Sequence, residues 1–219
     1  MRIIPAILTN NKKELLKMLQ EIAGVCDYAQ IDIMDSKFVP SKSVAIKDLA
    51  SVENKNNINI KKEIHLMTAH PLKEVEKLVK ENIKNIKQII FHIECSDNIL
   101  EVIKLIKKYK IKPALAINPD TRLEKILPYV DLVDEVLFLG VHPGFYGAKF
   151  LPKVWLKIKK FKKLFPDKNI SLDGGVGEKR IAKARELGLN SVVIGSTIFT
   201  SVDPAAMFLK LQKNAKIKK

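Results

Sequence analysis

The sequence predicts an α/β protein of one architecture, a (β/α)8 barrel formed by residues 1–219 as a single domain. Three observations predict it. Short apolar runs rich in β-formers alternate with helical stretches eight times, at even spacing. No Pro-, Gly- or Ser-rich linker interrupts that alternation. At 219 residues the chain also has about the length at which eight such units close on themselves. Strict alternation requires parallel strands, and a doubly wound open sheet is the alternative, which rarely needs eight strands in a chain this short.

The first strand covers residues 2–8, and Asn10 or Asn11 caps a helix in which Leu15, Leu16, Leu19 and Ile22 recur at helical spacing before Gly24 stops it. The second strand runs over 28–34 and ends at Asp35-Ser36, a turn pair whose short side chains bond back to their own backbone. A short helix over 46–52 precedes an Asn-rich loop over 53–59. Strand three covers 60–67 and its helix 75–83. Strand four covers 88–93, and Asp97 caps a helix whose apolar side holds Leu100, Ile103 and Ile106. Strand five (113–117) leads to a short helix with Leu123, Ile126 and Leu127. After strand six (136–139) comes a glycine-bearing loop over 142–147, and Pro152 opens a long helix with Trp155, Ile158 and Phe161 facing inward. Strand seven (170–172) is followed by a helix over 181–187 that Gly188 stops. Strand eight covers 191–194, Asp203-Pro204 caps the last helix, and residues 214–219 form a frayed basic tail.

Composition narrows the function classes. The formal charge of +15 raises nucleic-acid binding, but the lysines are spread over every predicted helix and only four of the 39 basic residues are Arg. No nucleic-acid partner is therefore expected, and the charge reads as a solvated Lys-rich surface. No apolar run approaches the ~20 residues of a membrane span, so no membrane partner is expected either. Residues 1–25 carry no secretory pattern, and Cys26 and Cys95 lack metal-type spacing, which places the chain in the cytoplasm with reduced thiols. A homo-oligomer is left open.

Active sites of such barrels lie where strands hand over to loops. The second strand delivers Gln30, Asp32 and Met34 there, the third His65 and Met67, the fourth His92, the seventh Asp173-Gly174-Gly175 and the eighth Gly195-Ser196. An acidic residue in a buried strand is costly unless it is paired, metal-bound or chemically employed, so Asp32 demands a partner. Strands two and seven face one another across the mouth, which sets Asp32 opposite Asp173. Two carboxylates on opposite sides of one carbon suit an epimerisation, one removing the proton and the other returning it on the far face. His65, lying between them, is a candidate ligand for a metal shared by both carboxylates. The glycine pairs after strands seven and eight suit a phosphate, because backbone without Cβ crowds closely on an anion. His92 is assigned a structural role, and His142 none.

Six segments, PAIL (5–8), IDIMDSKFVP (31–40), EIHLM (63–67), VHPGFYGAKF (141–150), LDGGV (172–176) and GSTIF (195–199), in that order, resemble the ribulose-phosphate 3-epimerase family, which includes allulose-6-phosphate 3-epimerases. The resemblance extends over nearly the whole chain. It implies a (β/α)8 fold, a pentulose or hexulose phosphate substrate, Asp32 and Asp173 as acid/base pair, and a divalent metal (Zn, Mn or Fe) on Asp32, His65 and Asp173. It further implies a substrate site at Ala6, Met34, Met67, Gly144, Gly147, Gly174, Gly175, Gly195 and Ser196. Where the family has Ser this chain has Ala6, and where it has a ligand His this chain has Gln30. Ser36, Ser41 and Leu139 also replace residues usual in the family. With an amide at position 30, weak retention of metal and a shift toward manganese are expected. The expected activity is interconversion of D-ribulose 5-phosphate and D-xylulose 5-phosphate through an enediolate. The alternative is a non-catalytic or altered-specificity sugar-phosphate-binding barrel, for example one like allulose 6-phosphate epimerase.

Overall fold

The computed structural model describes residues 1–56, 58, 60–144 and 147–216. Eight parallel strands close in sequence order into a barrel: β1 (Arg2–Ile7), β2 (Tyr28–Met34), β3 (Lys61–Met67), β4 (Ile86–His92), β5 (Lys112–Ile117), β6 (Glu135–Leu139), β7 (Asn169–Asp173) and β8 (Ser191–Ile194). Around them lie α1 (Lys12–Ala23), α2 (Ile46–Asn56), α3 (Pro71–Lys80), α4 (Ile99–Lys108), α5 (Lys153–Leu164), α6 (Glu178–Glu186), a short α7 (Ser196–Phe199) and α8 (Pro204–Lys216). The (β/α)8 expectation holds.

Each strand is buried on both faces, and its alternation sorts two cores. Ala29, Ile31 and Ile33 of β2 point outward into the layer shared with the helices. Tyr28 of β2 points inward, where it meets Ile4, Ala6, Ile90, Ala114, Ala116, Leu137, Leu139 and Val193. The parity of β2 also turns Gln30 and Asp32 inward. A shift of one residue would bury the wrong set, so this parity sets the site.

Several element boundaries differ from expectation. Helix α2 continues through Asn56 into the expected loop, because Glu53 is buried and its carboxylate meets Lys62 Nζ at 2.8 Å. The rest of that loop includes 57 and 59, which lie outside the described residues. Asn98, not Asp97, caps α4, accepting from the backbone N–H groups of Leu100 and Glu101. Asp97 instead accepts from Leu72 N at 2.9 Å at the start of α3. Leu100 is exposed, and Ile99 and Val102 join Ile103 and Ile106 on the buried side of α4. After β5 the chain makes two 3₁₀ segments instead of an α-helix. Helix α8 takes in Asn214, Ala215 and Lys216, with Ala215 buried, where a tail is expected. Residues 217–219 lie outside the described residues.

Candidate active site

β2 and β3 pair in register so that Asp32 stands beside His65, and β7 brings Asp173 to the same level. His65 Nδ1 lies 3.2 Å from Asp32 Oδ1 and 3.4 Å from Asp173 Oδ2. The ligand atoms of these three residues all fall within 4.8 Å of one another. The structure thus joins the three side chains singled out as strand-end candidates.

Gln30 completes the cluster. Its Nε2 donates to Asp32 Oδ1 and to Asp173 Oδ2, each at 2.8 Å, and lies 3.4 Å from His65 Nδ1. Its Oε1 is buried without a hydrogen-bond partner. The orientation follows from chemistry, because ionised carboxylates only accept, so the amide must turn its nitrogen toward them.

Burial disfavours a charged His65, yet its hydrogen bonds to Asp173 and Asp32 lift its pKa to about 9. The imidazole is therefore charged at neutral pH. Burial raises the Asp32 pKa, a direction that the nearby Asp173 reinforces, while His65 and Gln30 oppose it.

Behind His65 stands a line that the sequence does not reveal. His65 Nε2 lies 2.9 Å from His92 Nε2, and His92 Nδ1 lies 3.3 Å from Glu94 Oε2. Burial lowers the His92 pKa to about 4, so this ring is neutral. A neutral His92 that donates from Nδ1 to Glu94 must accept at Nε2, which puts the hydrogen on His65 Nε2. That arrangement aims His65 Nδ1 at the carboxylates. Glu94 is fixed in turn by Asn118 N, which donates to Oε1 at 2.9 Å. His92 thus bridges His65 and Glu94.

A cavity opens above this cluster, lined by Ala6, Asp32, Met67, Asp173 and the glycines 144, 147, 174, 175 and 195 together with Ser196. Met34 is absent from that lining. It packs with Val39 and Met67. At Gly174 φ is +92°, and a Cβ would come within 2.5 Å of Val141. At Gly175 φ is +66°, and a Cβ would meet Phe150 at 2.9 Å. Both positions therefore require glycine. Arg180 reinforces this loop, donating to the Gly175 carbonyl at 3.1 Å while stacking over the Phe150 ring. Residues 145 and 146 of the β6 loop lie outside the described residues. His142 is exposed, with Nδ1 3.5 Å from Asp120 Oδ2.

Residues 2–199 match the ribulose-phosphate 3 epimerase family, and the chain belongs to that family. It is 32% identical to a cytoplasmic isoform of ribulose-phosphate 3-epimerase from Oryza sativa subsp. japonica, over 97% of this chain and 93% of that protein. A ribulose-phosphate 3-epimerase from Helicobacter pylori is 32% identical over 93% of both chains. Among solved structures, 3-hexulose-6-phosphate synthase from Salmonella typhimurium superposes with a TM-score of 0.74 at 14% identity, covering 98% of each chain. Orotidine 5'-phosphate decarboxylase from Pyrococcus horikoshii gives 0.69 at 10% identity, over 99% of this chain and 100% of that one. These two share the barrel. No helix among the described residues is long and apolar enough to cross a membrane.

Proposed function

We propose that the chain is a ketose-phosphate 3-epimerase that interconverts D-ribulose 5-phosphate and D-xylulose 5-phosphate by two-base proton transfer. One observation carries this reading. Asp32 of β2 and Asp173 of β7, from opposed strands, meet a single Gln30 amide at 2.8 Å each at the floor of the cavity. With C3 of a ketose phosphate between them, one carboxylate removes the C3 proton and the other returns a proton to the opposite face. The raised Asp32 pKa runs in the direction that a proton-carrying partner needs. Without a cation, His65 held toward its charged form supplies positive potential beside the enediolate oxygens; a bound cation would take the place of the Nδ1 proton. The glycine-rich rim at 174–175 and 195–196 takes the phosphate through backbone donors and holds the sugar in register with the carboxylates.

Asp32, His65 and Asp173 fit a divalent cation, since their donor atoms converge within 4.8 Å. The separations of 3.2 and 3.4 Å from His65 Nδ1 to the two carboxylates match neighbouring ligands of a tetrahedral site. Bound there, the cation would supply Lewis-acid stabilisation of the enediolate charge. The chain's own residues retain the proton transfers. A coupled assay that converts xylulose 5-phosphate to a measured product tests the assignment. Turnover of ribulose 5-phosphate is the expected result. Tight binding of the sugar phosphate without turnover would replace this reading with that of a sugar-phosphate-binding barrel.

A further inference from the structure

We propose that the Gln30 side-chain amide is a two-position element governing this site. Turned one way, its nitrogen ties Asp32 to Asp173 without any metal. Turned over, its oxygen becomes the fourth ligand of a divalent cation. The inference rests on the reading of Asp32, His65 and Asp173 as a cation-capable acid/base cluster.

Gln30 Nε2 lies 2.8 Å from Asp32 Oδ1, 2.8 Å from Asp173 Oδ2 and 3.4 Å from His65 Nδ1. His65 Nδ1 in turn lies 3.2 and 3.4 Å from those carboxylate oxygens. Four donors at about 2.0–2.2 Å from a tetrahedral cation stand about 3.3–3.6 Å apart. The four atoms therefore have the size of a ligand shell, slightly contracted. Yet one corner is an amide nitrogen, which has hydrogens to give and no lone pair for a metal. That corner is held by hydrogen bonds that a cation would have to displace.

The other end of the amide supplies the second observation. Gln30 is fully buried, and its Oε1 has no hydrogen-bond partner. The amide leaves one buried acceptor unsatisfied to satisfy two carboxylates. Turning it over would set Oε1 against two carboxylates, which is unfavourable unless a cation lies among them. Cation binding and amide orientation are thus linked, and each excludes the opposite state. A cation held this way meets three oxygens and one imidazole, a harder set than a second imidazole at position 30 would make. The amide thereby lowers affinity overall and shifts preference away from zinc, relative to imidazole at the same position.

Selective ¹⁵N labelling of glutamine tests this, since the chain has only Gln20, Gln30, Gln88 and Gln212. The Gln30 carboxamide signal is identified by its loss in Gln30→His, or in Gln30→Met if the first variant does not fold. In metal-free protein its hydrogens should exchange at least about tenfold more slowly than those of exposed Gln20. Saturation with zinc or magnesium should shift it. Calorimetry should show Gln30→His raising zinc affinity at least about tenfold more than manganese affinity. Exchange as fast as Gln20, cation binding that leaves the signal in place, equal changes for both metals, or no cation binding at millimolar concentration would each overturn the proposal. None of these readouts uses turnover. Inactivity toward ketose phosphates would therefore count against the epimerase reading and leave the proposal standing.

Discussion

Two carboxylate pairs lie inside this barrel, one stacked on the other, and their partners differ. β3 carries Glu63 and His65, and β7 carries Ser171 and Asp173, so each strand supplies both layers two residues apart. In the upper layer, Asp32 and Asp173 share an amide and a charged imidazole. In the lower layer, Glu135 accepts from Ser171 Oγ at 2.5 Å and from Gln88 Nε2 at 3.3 Å, and Glu63 bonds to Tyr28. No cation touches the lower pair among the described residues. Arg2, stacked on the Tyr28 ring, lowers the pKa of both carboxyls electrostatically. Burial and the neighbouring Glu135 push Glu63 up to about 8, and burial raises Glu135 as well. Different company therefore gives the two pairs different character. Burial holds the lower pair toward its protonated form, and the upper pair has polar partners that oppose that drift.

The comparison breaks first at the upper layer. Asp32→Asn and Asp173→Asn should each lower kcat by ~10²–10⁴ while leaving the fold and phosphate binding intact. Steady-state kinetics alongside thermal unfolding would check this, and near-normal turnover in either variant would end the two-base account. Next comes the lower layer. The Glu63 carboxyl ordinarily titrates at 4.5, and in the fold at about 8, so the folded state binds the proton more tightly. Stability should be greatest below the unfolded value and fall as pH rises from 4.5 through 8, by up to about 1.4 kcal/mol per pH unit. Glu63→Gln removes that slope, and urea unfolding at pH 5, 7 and 9 should show the variant overtaking the wild type at the alkaline end. Parallel curves would mean that the lower pair is not kept neutral.

The smallest expected effect lies beside the upper layer. His92→Leu leaves His65 Nε2–H without its acceptor and frees the ring to turn. A fall in kcat of about 10–100-fold with a nearly unchanged KM is expected. His92→Gln, whose amide oxygen can accept that hydrogen, should restore much of the loss. Equal losses in both variants would make His92 a packing residue only.

The barrel and the three clustered side chains were legible because period-two alternation and position at a strand end are local properties. Asp32, His65 and Asp173 each stand where a strand meets its loop, and the fold then converges them. Gln30 was legible as a substitution but not as a bridge, since amide orientation depends on two carboxylates 2 and 143 positions away. The His92–Glu94 line was hidden for the same reason, because its meaning comes from His65 on another strand. Met34 shares the parity of Asp32, and parity alone does not say that it packs with Val39 and Met67. At Gly140, a Cβ would come within 2.3 Å of the Gly174 carbonyl oxygen, a close approach of two loops that no local pattern announces. Asp97 and Asn98 are both competent caps, and only the packing of α3 against α4 assigns each its helix.

The most direct test of the two-base account is proton exchange at C3 in deuterium oxide. Wild-type protein should place deuterium at C3 of both ribulose 5-phosphate and xylulose 5-phosphate as it interconverts them. Each single Asn variant keeps one carboxylate on one face. Asp32→Asn and Asp173→Asn should therefore each wash out the C3 hydrogen of only one epimer far faster than they invert it, and the two variants should choose opposite epimers. Exchange of the same epimer by both variants, or inversion by either at a rate near that of the wild type, would contradict the assignment of Asp32 and Asp173 to opposite faces of the substrate.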